Sequence, residues 1–328
     1  MILRPFLTLL LLFALPCACA VELPGIPQFI DEMVAKHQFK RDELEQVFNR
    51  VQHRQAVIDA ISKPATLKPW PEYRVIFIND KRIGGGLQFW SLHADALLRA
   101  EKQYGVPQEI IVALIGVETM YGNNSGKFSV LEALTTLAFD YPRRADFFRN
   151  ELEQYLLLAR DQELDLFKVQ GSYAGALGIP QFMPSSYRKY AVDFSADGKT
   201  DLLHDPLDAI GSVANYLKQY GWLNGAPQPV TARASIGEGV DVSSMASVSR
   251  TVADWTTVGV TLDSPVAADK TARLMEFTVT DGKEYWLAFN NFDVITRYNN
   301  SDFYAMTVYQ LAEALRDARH KDAAKKPE

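Results

Sequence analysis

The feature that most limits the fold is a change of pattern along the chain. Helical periodicity runs to about residue 221, is absent from 222 to 296, and returns from Asp302. Helices on both sides of a sheet-forming stretch imply a helical body with an insertion. In the first stretch, Phe29, Met33, Phe39, Leu44, Val47 and Phe48 supply apolar positions at helical spacings across 28–62, with a break near Lys40. Pro64, Pro69 and Pro71 then punctuate the chain, and Gly84-Gly85-Gly86 reads as a flexible or tight turn. No Gly-Lys-Ser/Thr follows it, so it is not a phosphate loop. Helices are predicted over 89–104, closed by Gly105; from Pro107 to near Tyr121-Gly122; over 128–139 and 142–160; and from Pro184-Ser185. The clearest spans 206–220, with Asp205 before Pro206 and Gly221 as its stop. In the middle stretch, 272–280 and 284–289 carry strand patterns joined by Asp281-Gly282, a hairpin signal. A last helix is expected over 302–319, with a polar, frayed tail after His320.

The chain has 328 residues, with 34 Lys and Arg against 40 Asp and Glu; at 48% hydrophobic and 23% charged it has a globular composition. The acidic balance argues against a nucleic-acid or anionic-membrane binder, since both need a basic footprint. Arg4, the apolar run Phe6 to Leu15, and small Ala18 and Ala20 read as a signal peptide cleaved after Ala20. The run is too short for a membrane span. Both cysteines, Cys17 and Cys19, lie in this segment, so cleavage leaves no thiolate, disulfide or cysteine metal site. The mature chain must then fold on packing alone. An acylated lipoprotein is the alternative, but neither Pro16 before Cys17 nor Cys17-Ala18 before Cys19 makes a clean leucine-small-small match. A soluble exported protein is preferred to an anchored one.

Glu118 follows Ile111, Leu114 and Ile115 by seven, four and three residues, so the four share one helical face. That face is apolar, and burial there raises a carboxyl pKa, as a general acid at a glycosidic oxygen requires. A structural glutamate paired with a buried donor is the competing interpretation. Ordinary glycosidases use two carboxylates, and no second one lies near Glu118 in sequence, although folding can supply one. Without it, an N-acetyl sugar brings its own nucleophilic amide oxygen, and a muramyl C6 hydroxyl can close a 1,6-anhydro ring. One glutamate then serves as acid and afterwards as base. Separately, Asp193, Ser195 and Asp197 occupy the first, third and fifth places of an EF-hand-like loop, with Gly198 at the sixth. The twelfth place is His204 rather than Glu, and a surface turn is the alternative.

Several ordered motifs resemble the lytic murein transglycosylases of the B type, a periplasmic peptidoglycan-cleaving family with a goose-lysozyme-like core. They are Gly116-Val117-Glu118-Thr119, the run from Ala138 to Ala145, the run from Gly171 to Gly178, the run from Gln181 to Tyr187, the run from Asp208 to Tyr216, and Ile295 to Asn299. The resemblance covers essentially the mature chain. It implies a mainly α protein: a lysozyme-like helical core with an N-terminal helical domain and a small inserted β-rich domain. The corresponding ranges are a signal peptide 1–20, a helical region 21–104, a core 105–221, a β-rich unit 222–296, a core-completing helix 297–320 and a polar tail 321–328.

The resemblance further implies Glu118 as sole acid/base, with Ser172, Gln181, Tyr216, Tyr298, Asn299, Tyr304 and Tyr73 contacting substrate. Ser172 and Asn299 can bond an acetamido group, and the tyrosines offer faces and hydroxyls to sugar rings. Each tyrosine also reads as ordinary core or surface, and Asn299 as a turn residue. The chain has Phe147 where the family often has Tyr, which removes a hydroxyl contact. The family's longer metal loop implies a structural calcium held by Asp193, Ser195, Asp197, the carbonyl of Lys199, and Asp208 from the next helix. Asp208 alone also reads as a reciprocal helix cap, three residues after Asp205. The implied activity cleaves the β-1,4 bond between N-acetylmuramic acid and N-acetylglucosamine, exo- or endo-acting, without a catalytic cofactor. The expected partner is a peptidoglycan glycan strand, with cell-wall synthesis proteins as further candidates. Contact with a membrane is expected only for a lipid-anchored form, and location is periplasmic in either case. A true muramidase, and a noncatalytic peptidoglycan-binding or scaffold module, are the rival readings.

Overall fold

The computed structural model describes residues 23–63, 68–224, 229–242, 245 and 248–325. The leader, with its cysteines and the cleavage after Ala20, lies outside the described residues. The chain forms two compact units, one ending at His53 and one beginning at Arg54. In the first, α1 (Ile26–His37) and α2 (Arg41–Arg50) pair, and Phe29 meets Phe48 edge to face at 5.9 Å. Gln38, left-handed at φ 59°, ends α1 and explains the break near Lys40.

The second unit begins with α3 (Gln55–Ser62), α4 (Trp70–Phe77), α5 (Asp80–Leu92), α6 (Ala94–Tyr104) and α7 (Gln108–Thr119). It continues through β1 (Phe128–Ser129), α8 (Val130–Asp140), α9 (Ala145–Asp161), β2 (Gln170–Gly171), α10 (Pro184–Tyr190) and α11 (Pro206–Gln219). Next come β3 (Thr231–Ile236), β4 (Ser249–Thr251), α12 (Val252–Thr257), β5 (Val260–Leu262), β6 (Thr271–Val279) and β7 (Gly282–Ala288), and then α13 (Asn290–Thr296) and α14 (Asp302–Lys325).

The central element is α7. Residues 111 to 115 are each fully buried, so the helix is enclosed on all sides rather than on one face. Helices α5, α11 and α14 pack against it. Strands β3 to β7 form one antiparallel sheet in the order β4-β6-β7-β3-β5. A hairpin forms where Asp281-Gly282 predicted one, but Val279 pairs with Gly282, so the two turn residues are Thr280-Asp281, and Gly282, at a positive φ of 134°, opens the return strand. Trp255, Leu274 and Leu287 anchor the core on one side of this sheet.

Four local expectations change. Gly84-Gly85-Gly86 is helical, inside α5, and the missing side chains of Gly85 and Gly86 make room for the ring of Tyr121: a Cβ on Gly86 would stand 2.4 Å from the Tyr121 hydroxyl. The single helix expected over 89–104 is split at His93 into the end of α5 and α6. Two short helices, α12 and α13, sit within the stretch read as β-rich. The last helix runs on to Lys325 instead of fraying after His320.

Candidate active site

The site is built on the C-terminal end of α7. Immediately after Glu118-Thr119, three consecutive residues are left-handed: Met120 at φ 50°, Tyr121 at 64° and Gly122 at 85°. Two of them are not glycine, so the surrounding structure must hold this conformation. Three side chains do so. The buried Thr119 hydroxyl donates to the Ile179 carbonyl at 2.8 Å and accepts from the Gly122 amide at 2.9 Å. The Arg82 guanidinium, 7% exposed, donates to the carbonyls of Gly116 and Val117 at the negative end of the helix dipole. The Tyr121 hydroxyl donates back to the Arg82 carbonyl at 2.8 Å, and its ring fills the space beside Gly85, Gly86 and Gly116.

Glu118 itself keeps a partly exposed surface, although protein packs densely around its carboxyl. Burial pushes its pKa up to about 7, against a smaller opposing effect of the Tyr304 hydroxyl, which donates to Oε1 at 2.5 Å. Tyr298 and Tyr73 stand close enough for the Glu118 charge to act on their hydroxyls, which burial already holds well above the ordinary tyrosine range for Tyr298 and above it for Tyr73. Tyr298 and Tyr304 stack with centroids 6.4 Å apart and planes 14° apart. No other carboxylate among the described residues perturbs Glu118. A carboxyl raised this far keeps a substantial protonated fraction near neutrality, the form a proton donor requires.

The structure gathers the sequence-predicted residues unevenly. Tyr304 bonds Glu118, while Tyr73 and Tyr298 lie within range of its charge and the Tyr298 hydroxyl donates to the Pro180 carbonyl at 2.5 Å. Tyr216 lies one ring further out, 4.8 Å from Tyr298, and its hydroxyl is committed to the Arg297 carbonyl at 2.7 Å. Ser172 and Gln181 occupy the 171–182 loop, which the small β1–β2 pairing and the Thr119–Ile179 bond tie to the α7 end. The Ser172 hydroxyl oxygen accepts from the amides of Ala174 and Ala176, and the Gln181 side chain donates to the carbonyls of Ser125 and Gly178. Asn299 is exposed on the turn that follows Tyr298. Neither Ser172 nor Asn299 bonds Glu118. Phe147 lies at the start of α9 under the Arg144 guanidinium, at 4.2 Å.

At the proposed metal loop, Asp193 accepts from the amides of Ala196, Asp197 and Gly198, and Asp197 from that of Lys199. Asp208, 1% exposed, accepts from Phe194, Ser195 and Asp201, and so ties the loop to α11 directly. It does not serve as the reciprocal cap; Asp205 alone caps α11, through the Leu207 amide at 2.7 Å. The donor set is all oxygen, which suits a hard cation, and Gly198 makes the sharp turn at φ 89°. Among the described residues no three His, Cys, Asp or Glu side chains converge on one point.

Sequence reasoning missed Arg82 and did not show that Thr119 and Tyr121 hold Glu118 in place. The glycine triplet was the one available signal, since glycines inside a helix mark a close neighbour.

A helical body presenting one recessed, tyrosine-ringed glutamate is the arrangement of a lysozyme-like glycan-cleaving enzyme, and the chain belongs to the family of transglycosylase SLT domains, which it matches over residues 23–313. It is similar to the membrane-bound lytic murein transglycosylase B of Escherichia coli strain K12, at 43% identity over 306 residues, covering 90% of this chain and 84% of that protein. Among solved structures it resembles the soluble lytic transglycosylase SltB1 of Pseudomonas aeruginosa, with a TM-score of 0.85 and 48% identity over 90% of this chain and all (100%) of that one. It also resembles the Escherichia coli lytic transglycosylase Slt35 in complex with calcium, with a TM-score of 0.83 and 43% identity, covering 90% and 94% of the two chains.

Proposed function

We propose that this transglycosylase cleaves the β-1,4 bond between N-acetylmuramic acid and N-acetylglucosamine in peptidoglycan and leaves 1,6-anhydro-muramyl ends. The observation that carries the reading is Glu118: a carboxyl with its pKa near 7, bonded by Tyr304, with no other carboxylate among the described residues acting on it. Protonated Glu118 gives its proton to the glycosidic oxygen as the bond to C1 breaks. The N-acetyl carbonyl oxygen of the muramyl sugar closes on C1, giving an oxazolinium-like intermediate. The Glu118 carboxylate then takes the C6 hydroxyl proton as O6 attacks C1 and releases the acetamido oxygen. Glu118 is thereby returned to its acid form, and no water enters the product. Ser172 and Asn299, on loops flanking the tyrosine cluster, orient the acetamido group; Gln181 and Tyr216 shape those loops from behind.

The family likeness supports a catalytic core of 105–221 completed by 297–320, with 222–296 as an inserted unit. Calcium in the similar Slt35 complex supports a structural ion at the 193–208 loop, held by Asp193, Ser195, Asp197, the Lys199 carbonyl and Asp208. Bound there it would add a second tie between the loop and α11, remote in sequence from Glu118. Export to the periplasm by the leader completes the reading; no described helix is long and apolar enough to cross a membrane.

The test is digestion of purified sacculi followed by mass analysis. Anhydro-muramyl products, lighter by one water than hydrolysed ones, are expected from the native chain and none from Glu118→Gln. Hydrolysed ends would assign a true muramidase, and glycan binding without cleavage would assign a noncatalytic module.

A further inference from the structure

We propose that Arg273, on β6 of the five-stranded sheet, is a positioning residue for the reaction: it fixes the first turn of α14 and so holds the Tyr304 hydroxyl on Glu118. The proposal rests on the reading of Glu118 as the acid.

Asp302 is the first residue of α14 and Tyr304 the third. The Arg273 guanidinium grips Asp302 with two nitrogens, Nη1 to Oδ2 at 2.9 Å and Nη2 to Oδ1 at 2.6 Å, while its Nε donates to Asp293 of α13 at 2.9 Å. A forked pair of this kind fixes orientation as well as distance. The same arginine thus holds α13 and α14, the elements on either side of the turn that carries Tyr298 and Asn299. Removing it leaves two carboxylates facing one another without a cation.

A second contact from the same strand supports the first. Phe277 is four residues from Arg273, so both project from one face of β6. Its ring meets Phe303, the residue between Asp302 and Tyr304, at 5.8 Å. Phe303 also meets Trp70 and Tyr73 of α4 at 5.3 and 5.8 Å. Ala272 and Leu274, on the opposite face, belong to the sheet's own core. One face of β6 therefore serves the sheet and the other serves the start of α14. The side chains facing Glu118 are Tyr304 from α14, Tyr298 from the preceding turn and Tyr73 from α4, with Arg82 of α5 at the carbonyls of Gly116 and Val117. Of these, Tyr304 is the one that α14 alone positions.

The experiment is a pH–rate profile on soluble glycan-strand fragments for the native enzyme, Arg273→Gln, Arg273→Lys, Tyr304→Phe and the double variant. The Tyr304 bond stabilises ionised Glu118, so Tyr304→Phe should move the alkaline limb up by about one pH unit. Arg273→Gln should move the limb the same way by part of that amount, with a several-fold fall in kcat and little change in KM. Arg273→Lys should restore part of both, and the double variant should match Tyr304→Phe. An unmoved limb in Arg273→Gln, or shifts that add in the double variant, would overturn the proposal, because a merely structural loss lowers the active fraction at every pH alike. If Arg273→Gln does not fold, Asp302→Asn breaks the same pair and carries the same expectations. A native profile without an alkaline limb near neutrality removes the assignment of Glu118, and the proposal with it; that outcome is distinct from a native limb that Arg273 fails to move.

Discussion

The Glu118 carboxyl should be visible in the stability of the protein as well as in its rate. In the unfolded chain it titrates near 4.5 and in the fold near 7, so between these values the folded state binds the extra proton. Stability must therefore fall as pH rises through that window, by about 1.4 kcal/mol for each unit that separates the two pKa values. From pH 5 to pH 8 the cost is about 2–3 kcal/mol, because the carboxyl is forced to ionise where dense protein packing disfavours its charge. The Gln variant cannot ionise and should lack this slope. Urea unfolding of native protein and Glu118→Gln at half-unit intervals isolates the effect, since every other titrating group cancels in the difference. Relative to native, the Gln variant should melt roughly 3–5 °C higher at pH 8 than it does at pH 5. A difference that stays constant across the range would refute the raised pKa. In parallel, kcat/KM of the native enzyme should decline as pH rises past about 7, as the acid form is lost.

Asn299→Ala, at an exposed turn, should leave the melting temperature within a degree or so while lowering turnover more than glycan binding; equal losses in both, or a large drop in melting temperature, would contradict its orienting role. Asp208→Ala should cost at least about 3 kcal/mol even in chelator, because it strands three amides that now share one carboxylate. Asp197→Ala should cost far less in chelator but abolish any calcium-dependent rise in melting temperature. Within the glycine triplet, Gly84→Ala meets open space and should stabilise by about 0.5–1 kcal/mol. Gly86→Ala drives a methyl into Tyr121 and Leu315 and should destabilise by about 1–3 kcal/mol, both measurable by thermal melts.

The helical body and the hairpin were legible in the sequence because each rests on neighbours a few residues away. Helix α7 is nevertheless enclosed on all sides rather than on the one apolar face its spacing suggests. Val112 and Ala113, off that face, are as buried as Ile111 and Leu114, so burial along α7 does not distinguish the face that carries Glu118. The tyrosines came from motif likeness, and the structure separates them: Tyr304 touches the acid, whereas Tyr216 serves the loop behind it. What stayed hidden depends on distant partners. Arg82 reads as a surface charge until the carbonyls of Gly116 and Val117, 34 and 35 residues on, are seen to receive it. Arg273 likewise finds its partners 20 and 29 residues away. Helices α12 and α13 are too short to show a period, and in α12 the capping Thr251 is the only local sign.

The phenol of Tyr121 between α5 and α7 has a mechanical consequence. Gly85 and Gly86 on one helix and Gly116 on the other form a socket whose depth matches a single ring. Sliding either helix by one residue along its axis would bring a side chain where the socket is, so the ring acts as a dowel against translation. The chain has no cysteine beyond position 19 with which to pin two helices covalently. A pin made of packing keeps its grip only while the socket stays empty of methyl groups. The axial position of the acid is therefore set by what three positions lack, and a survey of tolerated substitutions should find those glycines as intolerant as the glutamate, though for stability rather than for turnover.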